Sequence, residues 1–268
     1  MSNWTGFLLA IVGLTVGLLL VTRRSQDALA DMRIVDGSAP APESDPDREL
    51  APETPADTAP AHGATAGARN PAITTRALLA NVVVSQGVFL IAVVTLLWWF
   101  GVPVTHLGLS DGTIAARAVG IGVLAGGGIA VLNELGALVG RRAGLSGHER
   151  LRQALSPTVP ADWVLLLLVV LPTIAVFEEL LFRGVLIGAF AVGLGVDPWL
   201  LVVGSSIGFG LGHGAQGALG VIVTAVLGTV LGGLFVLTGS LVVVIVAHYV
   251  INAVEFLVHE GPADGRRR

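Results

Sequence analysis

The sequence predicts an all-α fold, a polytopic bundle of about seven transmembrane helices, and three observations carry that expectation. Of 268 residues, 53% are hydrophobic and only 13% charged, with a mean hydropathy of +0.81, whereas soluble domains carry roughly a quarter charged residues. The apolar residues fall into seven runs, at 4–21, 78–100, 115–139, 163–194, 199–212, 218–237 and 241–258. Most of these approach or exceed the ~20 residues a helix needs to cross a bilayer at ~1.5 Å per residue. Arginines gather in particular connections between the runs, the mark of a chain sorted by membrane topology.

The first run is read as an N-terminal anchor over residues 1–24. Arg23 and Arg24 end it, and no basic residue precedes its apolar core as one would in a secretory signal peptide. Ala28-Leu29-Ala30, faintly like a cleavage site, does not outweigh that order. Residues 25–75 hold seven of the thirteen prolines, and nine of the nineteen acidic residues lie between Asp27 and Asp57. Such a stretch buries too little apolar area to offset its ordering entropy. It is expected to be a disordered acidic linker, a solvated spacer rather than a docking segment for partners.

The six remaining runs make one bundle over 76–260, followed by a basic tail at 261–268. Arg23, Arg24, Arg33, Arg48, Arg69 and Arg76 lie in the first long connection, Arg141, Arg142, Arg150 and Arg152 in the third, and Arg266, Arg267 and Arg268 at the C-terminus. Seven spans threaded in order put all three groups on one side, so the positive-inside rule places the N-terminus outside and the C-terminus in the cytoplasm. Trp98, Trp99, Trp163 and Trp199 stand near span ends, where interfacial anchors belong. All fifteen basic residues are arginine, a hint of a high-GC or salt-adapted source, and the expected location is the plasma membrane of a prokaryote.

Several function classes drop out. With no cysteine there is no disulfide, thiol nucleophile or thiolate metal site, and no basic footprint for nucleic acid is present. The expected partners are membrane lipid and a membrane-associated or lipidated peptide. Gly212-His213-Gly214-Ala215-Gln216-Gly217 matches GxGxxG, but no strand precedes it and no acidic residue follows about twenty positions on, as a dinucleotide site requires. The abundant glycines, including Gly126, Gly127 and Gly128, are read as close helix packing.

Chemistry-bearing residues concentrate in the last third. Glu178, Glu179 and Arg183 lie in the apolar run 163–194, where unpaired charge is penalised by several kcal/mol. Glu179 and Arg183, four apart, share one helix face and form the expected ion pair, while Glu178 is displaced by roughly a quarter turn and has no local cation. That makes Glu178 the candidate general base. Phe209 with His213, and His248 with Asn252, repeat the four-residue spacing in two later runs. Taken singly, a histidine there could satisfy a backbone carbonyl and an asparagine could be helix–helix glue. Glu134 beside Asn133, and Glu255, lie near helix ends and are read as hydrated rather than catalytic.

EExxxR, then FxxxH, then HxxxN, each in its own apolar run, resembles the CAAX-protease and bacteriocin-processing family of intramembrane endopeptidases, also called the Abi family. The resemblance covers about 163–258, within a domain over 76–260, with weaker support from His106-Leu107-Gly108-Leu109 upstream. It implies an endopeptidase in which Glu178 takes a proton from water, His213 holds that water, and His248 with Asn252 donate to the developing oxyanion. Glu179, Arg183 and Phe209 would support the site. No cofactor is favoured, although Glu178, His213 and His248 would be the ligands if zinc were bound; no HExxH helix occurs. Two other readings stand beside it: a proton-coupled secondary transporter, and a catalytically silent scaffold or immunity protein of the same fold. Counting residues from span ends places His213 on the order of 10 Å deeper than Glu178 and His248.

Overall fold

A computed structural model describes residues 3–31, 74–109, 115–142, 150–157 and 159–261. Most of the expected linker and the basic tail from residue 262 lie outside the described residues. The described chain forms eight helices and no strand: α1 (Trp4–Asp31), α2 (Thr75–Trp99), α3 (Ala115–Arg142), the short α4 (Arg150–Leu155), α5 (Pro160–Leu194), α6 (Pro198–Gly212), α7 (Gly217–Thr238) and α8 (Leu241–Glu260). Six have the length and apolarity to cross a bilayer, and the protein is an integral membrane protein. The apolar α6 has only 15 residues, or about 22 Å against a hydrocarbon core of about 30 Å, so it falls short of a full span.

Helix ends follow local chemistry. Asp197 caps α6 by accepting from the Trp199 N–H at 2.8 Å, and Pro198 opens the first turn where a missing N–H costs nothing. Gly195 and Gly239 end α5 and α7 in the left-handed conformation at φ 66° and 62°. The GxGxxG match spans the end of α6, a 3₁₀ turn at Gly214–Gln216 and the start of α7. It is a helical hairpin, not a nucleotide loop.

Two ends of the bundle can be told apart by side-chain pairs. At the first, Trp4 stacks on His106 at 6.0 Å, and Phe7 meets Phe100 at 5.7 Å and Phe190 at 5.9 Å. These contacts join the start of α1 to the ends of α2 and α5. At the second, Arg76 faces Asp162 at 4.0 Å, Glu134 accepts from His259 at 2.8 Å, and Arg152 reaches Glu255 and Glu260, each at 3.2 Å. Glu134 and Glu255, read from sequence as merely hydrated, therefore tie α3 and α4 to the end of α8. Trp98 and Trp99 stay exposed at the end of α2, and Trp199 at the start of α6.

The segment His106-Leu107-Gly108-Leu109 positions α8. Gly108 sits at φ 73° and its carbonyl accepts from the Leu241 N–H at 2.9 Å. A Cβ there would lie 2.7 Å from the Phe235 ring and 2.9 Å from the Gly239 carbonyl, so only glycine fits the turn that holds the start of α8. On α3, a Cβ at Gly122 would stand 2.7 Å from the Val243 carbonyl, and one at Gly126 2.6 Å from the Ala247 carbonyl. The backbones of α3 and α8 touch through this small-xxx-small pair, next to His248. Gly127 and Gly128 have nothing nearby. Gly126→Val is expected to force the helices apart and cost about 1–3 kcal/mol by overpacking. Thermal unfolding in detergent checks this, with Gly127→Val as the near-neutral control.

α5 runs for 35 residues, about 52 Å, and is not a uniform α-helix. It widens into π-helix at Leu166–Val170 and again at Leu180–Ala189. The first widening has a plain cause: Pro172, two residues past its end, has no N–H to donate and would collide with the carbonyl four residues back. In the widened register the Leu171 N–H instead donates to the Leu166 carbonyl. The second begins right after Glu179, and within it the Phe182 carbonyl accepts an outside donor, Ser205 Oγ on α6, at 2.7 Å. Such interruptions recur at functional sites.

Candidate active site

The middle of α5 carries three ionisable side chains into the core. Glu178 is 9% exposed, Glu179 fully buried and Arg183 1% exposed. Arg183 Nη1 donates to Glu179 Oε1 at 2.7 Å, the pair expected from the four-residue spacing. Arg183 Nη2 donates to the Gly228 carbonyl of α7 at 3.2 Å, and the guanidinium lies 4.5 Å over the Phe209 ring. A cation so far from water is held by a carboxylate, a carbonyl dipole and an aromatic face together. Gly228 can offer its carbonyl because α6 and α7 nearly touch there: a Cβ would lie 3.2 Å from Phe209 and 3.3 Å from Ser206.

α8 completes the cluster. His248, 3% exposed, places Nδ1 2.6 Å from Glu179 Oε1, and Nε2 3.8 Å from Glu178 Oε2. An ionised carboxylate only accepts, so Nδ1 carries the proton and donates it. One oxygen of Glu179 therefore holds both Arg183 and His248, while Nε2 is turned to Glu178. The 3.8 Å separation is a charge contact, too long for a hydrogen bond. Glu178 Oε2, Glu179 Oε2 and Arg183 Nε are buried without a hydrogen-bond partner. Buried polar groups are nearly always satisfied, so three exceptions in one cluster mark a place for polar guests.

The other motif residues stand further out. Phe209 touches both imidazoles, with ring centroids 4.7 Å from His213 and 6.1 Å from His248. His213 is half-buried at the end of α6, and its Nδ1–H donates to the Phe209 carbonyl at 2.8 Å, which leaves Nε2 without a partner among the described residues. It is not within ion-pair distance of either glutamate. Asn252 lies half-buried one turn beyond His248 on α8, with no polar partner among the described residues.

The possible zinc ligands do not form a ready set as placed. Among the described residues no three His, Asp or Glu side chains are gathered at ligand spacing, and His248 Nδ1 is taken by Glu179. Sequence reasoning also missed the second bond of Glu179, because its partner is 69 residues away, and the Gly228 carbonyl, whose only signal was a glycine among many.

Residues 160–254, just over a third of the chain, match the family model described as type II CAAX prenyl endopeptidase Rce1-like. That segment is similar to the Rce1-like family. No curated protein and no solved structure matches it. The Rce1-like segment starts with α5 and ends within α8, so it contains Glu178, Glu179, Arg183, Phe209, His213, His248 and Asn252 and leaves out α1 to α4.

Proposed function

We propose that this protein is an intramembrane endopeptidase that hydrolyses a peptide bond of a membrane-associated substrate with a glutamate-activated water. The observation that carries the reading is the division of labour between adjacent glutamates. Glu179 is held through Oε1 by Arg183 and His248, whereas Glu178 makes no hydrogen bond among the described residues and has only the 3.8 Å contact to His248 Nε2.

In this mechanism Glu178 removes a proton from a water, whose oxygen bonds to the scissile carbonyl carbon. His213 steadies that water through Nε2, which accepts while Nδ1 is held by the Phe209 carbonyl. The tetrahedral oxygen takes hydrogen bonds from the Asn252 amide and from His248. Since the Nδ1 proton of His248 already goes to Glu179, donation from Nε2 needs a second proton on the ring. The C–N bond then breaks, and the proton held by Glu178 passes to the leaving amine. Arg183 holds Glu179, and through it the tilt of His248. Each preorganised oxyanion donor supplies about 3–4 kcal/mol.

The second end of the bundle, with the C-terminus, is read as cytoplasmic, a reading supported by the arginine-rich connections of the sequence. The membrane is that of a prokaryotic cell, a reading motivated by the lysine-free composition, and the substrate class is a membrane-held or lipidated peptide. The test is cleavage of a membrane-tethered peptide by the purified protein in liposomes, read by mass spectrometry. An excess of chelator is expected to leave the rate unchanged; a large fall restored by zinc would put a metal in the mechanism. Proton-driven uptake without cleavage would replace the reading with a carrier, and neither activity would favour a silent scaffold.

A further inference from the structure

α1 lies outside the Rce1-like segment, yet it is attached to the bundle very unevenly. Its start is pinned. Trp4 stacks on His106 and occupies the space a side chain at Gly193 would need, and Phe7 and Ile11 are buried in the core beside α2 and α5. Beyond Ile11 the grip weakens: no later residue of the span is fully buried, Leu14 and Leu18 pack only partly, and Gly13 and Gly17 have nothing near them. This loosely held half rests on the end of α6 and on the Gly214–Gln216 turn, with Leu19 3.7 Å from a Cβ built on Gly212. Gly212 is the residue before His213.

From this asymmetry we propose that α1 is a gate helix, pivoted at Trp4 and Phe7, whose outer half covers the membrane side of the His213 end of α6. A membrane-held peptide reaches the cluster by displacing that half. The proposal rests on the proteolytic reading for its consequence, but not for the motion itself. Burial sets the order of opening: a helix segment with few buried apolar contacts opens at lower free energy than one anchored by a tryptophan and a phenylalanine. Chain length permits it as well, because residues 32–74 separate α1 from α2, far more than a tight connection between neighbouring helices requires. From Val12 to Val21 the side chains are apolar apart from Thr15, whose hydroxyl donates to the Ile11 carbonyl, so swinging this stretch into lipid exposes nothing polar.

The absence of native cysteine makes the test clean. In the full chain carrying Leu19→Cys and Gly212→Cys, a short thiol-reactive cross-linker that reductant can cleave should join α1 to α6. The joined protein in liposomes is expected to cleave a membrane-tethered peptide at least tenfold more slowly than the same protein after reduction. Equal rates in both forms would overturn the gate. A second measurement does not depend on catalysis: spin labels at the same two positions should give two distance populations in bilayers, one of them long. A single short distance overturns the gate whatever the cleavage result. If the native chain and all variants fail to cleave while two distances persist, the proteolytic reading falls and the moving helix stands.

Discussion

Glu178→Gln is expected to lower the rate of peptide cleavage by roughly 10²–10⁴-fold, the usual contribution of a positioned general base. The substitution keeps the shape of the side chain and removes only its capacity to take a proton. Glu178 makes no hydrogen bond among the described residues, and His248, 3.8 Å away, keeps its bond to Glu179, so a neutral amide there leaves no buried cation stranded. Folding should therefore be close to native, and the thermal transition in detergent should move little. The same variant should still bind substrate, which makes it the form in which captured peptides can be recovered and identified by mass spectrometry. A Glu178→Gln protein that cleaves at the native rate would remove the proposed base.

The largest structural effect is expected from Arg183→Ala. It leaves Glu179 buried with its principal cation gone, frees the Gly228 carbonyl and empties the space over Phe209. Breaking a buried pair by removing one partner costs about 3–5 kcal/mol, because the remaining charge stays desolvated. Arg183→Ala should therefore unfold at much lower temperature or fail to accumulate. The double variant Glu179→Gln with Arg183→Met should recover most of the loss, since the buried charges are removed together and a Gln oxygen still accepts from His248 Nδ1. Recovery of folding without recovery of cleavage would assign the pair to positioning His248. If Arg183→Ala alone were as stable as the native chain, the cluster would not be the desolvated unit described above.

What was legible in the sequence follows the range of each interaction. The helical spans were visible because hydropathy and length are local, and the Glu179–Arg183 bond because four residues make one turn. Similarly, the bland alternative for a lone histidine, a bond to a backbone carbonyl, is what His213 Nδ1 makes with Phe209. Other features had no local signature. Glu179 binding His248 joins residues 69 apart, and no periodicity says which nitrogen faces which glutamate. The π-helical stretch after Glu179 includes a Phe182 carbonyl that accepts from Ser205 on α6, a donor that a reading of α5 alone does not contain. The apolar run ended by Arg23 and Arg24 marked residues 1–24 as an anchor; that Phe7 and Ile11 pack into the core beside α2 and α5 had no sequence signal. Leu-Gly-Leu at 107–109 carried only a resemblance in the sequence; the bond from Leu241 to the Gly108 carbonyl gives it a physical role, fixing the start of the helix that bears His248 and Asn252.

Water-driven hydrolysis at the Glu178 cluster is tested most directly by one experiment: single-turnover cleavage of a membrane-tethered peptide by the native chain in liposomes made up in heavy-oxygen water. Attack by activated water predicts two peptide products, with one heavy oxygen in the new carboxyl group and none elsewhere. Recovery of the intact peptide, or of cleaved products whose new carboxyl carries no solvent oxygen, would contradict the account.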